Sequence, residues 1–139
     1  FNVFGPKQNP NSQYSAVIPL FIKALLTGQP PVIYGDGLQS RDFTYIDNVV
    51  QANLLCLYKI KELSGAHVFN IALGNSISLL SLWEQMAKLG QSSLKPIFRE
   101  ARLGDVRDSL ADISLAKQLI GYRPISDFQY ALKKTLDWY

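Results

Sequence analysis

Cysteine and histidine are almost absent from this sequence; each occurs once, as Cys56 and His67. A single cysteine excludes an internal disulfide framework and fits a reducing compartment or no redox role. A single histidine excludes a histidine-based metal cluster. Any Ser-His-Asp triad would have to use His67, which has no evident partner in a cleft and reads as non-catalytic. Long apolar runs are missing too. None approaches the ~18 residues of a membrane span, and no basic stretch followed by an apolar one opens the chain, so neither a span nor a signal peptide is expected. Charge is nearly balanced, with 14 Lys+Arg against 11 Asp+Glu. That excess is too weak to argue for a nucleic-acid partner, and there is no block of like charge or aromatic-basic alternation. Several catalytic signatures are also absent: a G-x-G-x-x-G turn after a strand, a Walker loop, H-E-x-x-H and a G-x-S-x-G elbow.

What remains is a globular composition, 47% hydrophobic and 18% charged over 139 residues, with room for one domain and a sizeable core. Met86 is the only methionine, so Phe1 reads as a processing site or the edge of a longer chain.

Short β-rich runs alternate with helical patterns. Phe1–Phe4 reads as a strand ended by Gly5-Pro6, and residues 5–12 as a loop. A helix is expected over Val17–Thr27, with Pro19 in its first turn and Gly28 as its stop. Val32–Tyr34 reads as a strand broken by Gly35-Asp36-Gly37. Arg41–Ile46 alternates as one half-buried strand would. Asp47 is expected to cap a helix running to about Lys61, and Val68–Ala72 to form another strand. Ser78 should cap a helix whose apolar face carries Leu79, Leu82, Trp83, Met86 and Leu89, ended by Gly90. Ile97-Phe98 is a short strand, and Asp112 caps a helix ending at Gly121. Ser126 and Gln129 form a capping box for the last helix, whose face is Phe128, Ala131, Leu132, Thr135 and Leu136. Trp83 and Trp138 read as core. The sum is an α/β or α+β chain, richer in helix than strand. So few and such short strands make a thin sheet, as in one lobe of something larger.

Arginine carries the most chemical information. Arg41 follows the Gly-Asp-Gly turn, and Arg99, Arg102 and Arg107 cluster around Gly104-Asp105. Guanidinium forks match phosphate oxygens in bidentate geometry, and a glycine beside them lets backbone approach a ligand. A solvated basic loop would look the same in sequence. Asp105 could accept from two ribose hydroxyls or pair with Arg102. Asn2 and Asn70, each placed in a strand, read as amides satisfied by backbone.

Six segments in order resemble one family: Phe1–Pro6, Ala16–Pro19, Gly35–Gly37 with Ser40–Phe43, Asp47–Ala52, Arg102–Arg107 and Ala111–Ser114. Together they are similar to the C-terminal part of the extended short-chain dehydrogenases/reductases. Within that group they look most like NAD-dependent nucleotide-sugar epimerases, in particular bacterial UDP-N-acetylglucosamine (or uronic acid) 4-epimerases. The resemblance spans essentially the whole chain. It implies an α/β, Rossmann-type fold of which residues 1–139 are the substrate-binding lobe, mostly helical with short strands, and whose dinucleotide-binding domain is not in this sequence.

By the same resemblance, the full-length enzyme binds NAD and moves a hydride from C4 of a UDP-sugar and back to its other face. The family's glycine motif and catalytic Tyr-x-x-x-Lys pair are missing here; Tyr130 and Lys134 do not match their context. No tightly bound NAD, no catalytic residue and no activity are therefore expected of this chain alone. The resemblance places the UDP-sugar on Asn2 (near the diphosphate), the backbone of Ala16 and Val17 (uracil), Val32 and Tyr34 (beside the base), Arg41 and Arg102 (diphosphate) and Asp105 (ribose). Ser109 matches a pocket wall that governs whether a 2-N-acetyl group fits. A cytoplasmic homodimer in polysaccharide-precursor synthesis is implied, without nucleic-acid, membrane or metal partners. Related dehydratases and decarboxylases share this lobe, and a non-catalytic nucleotide-sugar-binding protein is a further alternative.

Overall fold

The computed structural model describes residues 2–9 and 17–139. Among these residues, six short strands and five helices alternate: β1 (Asn2–Phe4), α1 (Val17–Thr27), β2 (Val32–Tyr34), β3 (Ser40–Arg41), β4 (Phe43–Tyr45), α2 (Ile46–Lys59), β5 (Ile77–Ser78), α3 (Leu79–Leu89), β6 (Ile97–Arg99), α4 (Ser114–Ile120) and α5 (Phe128–Leu136). The described strands pair two by two rather than forming one sheet. β1 runs parallel to β4 with Asn2 opposite Phe43, β2 parallel to β6 with Tyr34 opposite Arg99, and β3 antiparallel to β5 with Arg41 opposite Ile77.

The larger core lies where α1, α3 and α5 cover β1, β2 and β4. Phe4, Phe21, Ile33, Phe43, Trp83 and Met86 are buried in it. Phe21 meets Trp83 edge-on at 5.4 Å, and Phe4 packs on Phe43, Tyr45 and Phe128 at 5.7–6.4 Å, geometries that suit the ring quadrupole. A smaller core joins α2 and α4 through Ala52, Ala72, Ile113, Ile120 and Tyr122.

Local chemistry explains most boundaries. Gly28, at φ +64°, closes α1 with Gly28 N–H on Leu25 O and Gln29 N–H on Ala24 O, the paired bonds of a Schellman end. Ser78 Oγ accepts from Ser81 N–H and starts α3. Gly121, at φ +69°, stops α4. The apolar face of α5 is buried as its spacing predicts, at Ala131, Leu132 and Thr135.

Other expectations need correction. The alternating run 41–46 is two strands, because Asp42 turns out of the ladder. Its carboxylate accepts from Leu73 N–H (3.0 Å), Gly74 N–H (2.9 Å) and Ala111 N–H (3.4 Å), so the backbone breaks register there. Helix α2 starts two residues earlier than a cap at Asp47 would place it. Tyr45 is its N-cap, without a side-chain bond, and Asp47 sits in the first turn. Val68–Ala72 is not a strand; it joins no ladder among the described residues. Asn70, from that segment, donates to Asp112 O, and the buried Ala72 O accepts from Tyr122 Oη. His67 is therefore not at a strand start; it is exposed and stacks on Phe69. Asp112 does bond Ser114 N–H, but Ile113 holds the N-cap of α4. Asp127, not Ser126, caps α5 by accepting from Tyr130 N–H. The Ser126 backbone is taken up by the buried Asn48, whose amide bonds both its N–H and its C=O. Trp138 is half exposed rather than core, stacked edge-on against Tyr139.

Candidate functional site

The anion-binding candidates converge where the 99–109 segment lies along β2 and β3. The convergence is built from backbone first. Ser40 N–H donates to Arg107 O and Ser109 N–H to Ser40 O, adding the segment alongside β3. Gly35 N–H donates to Arg99 O, which extends the β2–β6 pair into the turn. Gly35 and Gly37 both sit at positive φ, +80° and +78°. That conformation suits glycine and reverses the chain between β2 and β3.

Side chains then fasten the segment. Arg107 makes a forked pair with Asp36 at 2.8 and 3.1 Å, and Ser40 Oγ donates to Asp108 at 2.6 Å. The Arg107 fork, with a further bond from Leu38 N–H, holds the Asp36 carboxyl below its ordinary range. Arg107 is correspondingly raised by Asp36. Both side chains are more than half exposed, so water screens the pair and its role is geometric more than energetic.

One tight turn carries two of the candidates. Asp105 N–H donates to Arg102 O, and Gly104 stands between them at φ +80°, as the third residue of a type II turn requires. From one end of the turn the Arg102 guanidinium lies over the Tyr34 ring, 4.0 Å from its centre. From the other end Asp105 pairs with Arg41 at 2.7 Å. The Asp105–Arg102 pair considered from sequence does not form. Arg41 is largely buried and donates through its other terminal nitrogen to Ser40 O (2.8 Å) and Arg107 O (3.3 Å).

The structure thus brings Tyr34, Arg41, Arg102 and Asp105 together, with Ser109 joined to β3 beside them. Val32 is exposed two residues before Tyr34 on β2. Asn2 is half-buried on β1, and Val17 opens α1 against the larger core. Ala16 lies outside the described residues. Arg99 stands in β6 and is exposed. The residues that build the platform, Asp36, Ser40, Asp42, Arg107 and Asp108, were not singled out from sequence as a set. An acidic residue interrupting an aromatic alternation, as Asp42 does, was the available signal.

The fit to a dinucleotide can be tested on the turn itself. Gly35-Asp36-Gly37 follows a strand, but it leads into β3 and not into a helix N-terminus, so these residues do not form a pyrophosphate-binding turn for NAD. Among the described residues no group of three or more His, Cys, Asp or Glu could hold a metal ion, and no helix is long and apolar enough to cross a membrane.

The described residues thus form an α/β chain that presents arginines on a loop docked to a strand edge. Residues 1–72 match the NAD dependent epimerase/dehydratase family, and the chain belongs to that family. It is 44% identical to a UDP-N-acetylglucosamine 4-epimerase from Methanobrevibacter ruminantium, solved with UDP-N-acetylmuramic acid; the TM-score is 0.89, covering 99% of this chain and 43% of that one. It is 30% identical to a Bacillus cereus UDP-glucuronic acid 4-epimerase solved with UDP-glucuronic acid and NAD, at TM-score 0.86 over 99% of this chain and 42% of that one. A UDP-glucose 4-epimerase of Mycolicibacterium smegmatis is 31% identical over 99% of this chain and 43% of the relative. The fold is therefore that of part of an extended, Rossmann-type epimerase. The chain spans less than half the length of these relatives.

Proposed function

We propose that residues 1–139 are the substrate-binding lobe of an NAD-dependent UDP-sugar 4-epimerase, acting on UDP-N-acetylglucosamine or UDP-glucose. The observation that carries this reading is the turn 102–105. It sets one guanidinium on an aromatic face and one carboxylate beside a largely buried arginine, a layout suited to a diphosphate next to a ribose. The names of the relatives support a UDP-sugar. In this reading Asn2, Arg41 and Arg102 hold the diphosphate, Asp105 the ribose, and Ala16, Val17, Val32 and Tyr34 the base. NAD and the catalytic pair come from a part of the protein outside this chain, and the protein is a cytoplasmic homodimer supplying polysaccharide precursors.

Ser109 sets the sugar preference. A serine leaves the space that an acetamido group needs and a tyrosine would fill, and clashes reject a ligand more decisively than one contact attracts it. The test assays the full-length protein with NAD on UDP-N-acetylglucosamine, UDP-glucose and UDP-glucuronic acid, following inversion at C4 and loss of carbon dioxide. Inversion of the first two, with selective loss of the acetylated substrate in Ser109→Tyr, supports the reading. Decarboxylation or dehydration without inversion moves the protein to a neighbouring activity. Equal effects on both sugars remove Ser109 from the specificity.

A further inference from the structure

We infer that Asp105 is a specificity-determining gate on Arg41, one that screens out bare anions and admits anions carrying neighbouring hydroxyl groups; the inference rests on the diphosphate reading above. Arg41 has little freedom. One terminal nitrogen is committed to two backbone carbonyls and the other to the Asp105 carboxylate. An anion that takes the second nitrogen must displace the Asp105 oxygen or sit against its charge. Arg102 is different: among the described residues no carboxylate lies within ion-pair distance of it, and its guanidinium rests on Tyr34. One arginine of the pair is thus open and the other guarded.

What replaces the lost bond decides selectivity. A carboxylate can only accept hydrogen bonds, so inorganic pyrophosphate, highly charged and without a neutral pair of neighbouring hydroxyls, meets Asp105 mainly with repulsion. A ribosyl diphosphate offers an oxygen for Arg41 and two hydroxyl donors for Asp105, so both halves of the broken pair are satisfied again. The turn is built to allow the exchange. Gly104 has open space around it, Leu103 is fully exposed, and the Asp105 side chain is more than one-third exposed. Arg41 is the more buried and more tethered partner, and Asp105 the more exposed one.

The experiment titrates the full-length protein with inorganic pyrophosphate and with UDP by calorimetry, comparing wild type, Asp105→Asn, Asp105→Ala and Glu100→Gln. Glu100 is an exposed acid of the same segment, so its variant reports the effect of net charge alone. Removing the Asp105 charge should tighten pyrophosphate roughly five- to tenfold and weaken UDP, in both Asp105 variants, because a partly exposed charged pair is worth little more than that. Glu100→Gln should change neither by more than about twofold. An unchanged ratio of the two affinities in the Asp105 variants, or the same shift in Glu100→Gln, overturns the gate. A wild-type protein that binds neither ligand overturns the diphosphate reading and the gate with it.

Discussion

Asp42 is the residue on which the candidate site most depends mechanically, and its replacement by asparagine gives a sharp test. The side chain is fully buried, and its two oxygens accept three backbone N–H groups from two distant segments, 73–74 and 111. In Asp42→Asn the new amide keeps one oxygen. Facing Gly74 and Ala111, that oxygen retains two bonds in weaker, neutral form. The amide NH2 then points at Leu73 N–H, donor against donor. One charged hydrogen bond, worth about 1.5–3 kcal/mol, is lost outright. Relief of the buried carboxylate's desolvation offsets part of this. The net cost is about 1–3 kcal/mol, a sizeable share of the ~5–15 kcal/mol that holds a domain together. Asp42→Ala leaves all three N–H groups without their acceptor and costs more. Urea unfolding of the full-length protein, followed by circular dichroism, measures both. UDP titration of the folded variants should show weakened binding, since the segment leaving Ala111 leads back to the arginine turn. A loss below about 0.5 kcal/mol for Asp42→Asn, the range of neutral surface changes, would refute the reasoning.

Tyr122 is buried and its phenol donates to Ala72 O; burial first, then the Asp42 charge, pushes its pKa from 10.0 up to about 12. A group raised on folding stabilises below its unfolded value and loses that stabilisation as pH climbs through the folded one. Stability should therefore fall between about pH 10 and 12, and Tyr122→Phe should make that fall shallower; an identical alkaline profile counts against the assignment. Asp36 is lowered by the Arg107 fork, so its contribution is present above the ordinary 3.8 and lost as pH drops through the folded value. A carboxyl carbon titration should place its midpoint below 3.8 in wild type and higher in Arg107→Met; coincident midpoints would show that the fork does not form. On α2, Ile46, Val50, Leu54 and Leu57 are exposed along one side of the helix, opposite the buried Asn48 and Ala52. Expressed alone, this 139-residue chain should self-associate through that stripe, and a clean monomer at high concentration by sedimentation, without dye binding to apolar surface, would contradict it.

Helices were legible in the sequence because their signals are local. The bounds of α1 follow from Pro19, Gly28 and the apolar spacing, and α3 from Ser78 and Gly90. Strands were less so. Residues 68–72 have strand-like composition, yet pairing depends on a neighbour that local sequence does not specify. Asp42 splits one apparent strand into two through partners at positions 73, 74 and 111, a long-range choice invisible to periodicity. Capping failed where two candidates stood side by side: Asn48 claims the Ser126 backbone from the other end of the chain, leaving the cap to Asp127. In the site, the residue types and the Gly104 turn were readable. Which acid meets which arginine was not, because Asp105 reaches Arg41 and Asp36 reaches Arg107 across 64 and 71 positions of sequence.

The most direct test of the account is the affinity of UDP for the full-length protein carrying Arg102→Ala. The guanidinium rests on Tyr34 with no carboxylate in ion-pair range among the described residues, so its removal should leave the fold intact and delete one charge-assisted contact. The account predicts that the UDP dissociation constant rises roughly ten- to a hundredfold with an unchanged melting temperature. An unchanged UDP affinity would make Arg102 an ordinary surface residue and contradict the placement of the diphosphate on this turn.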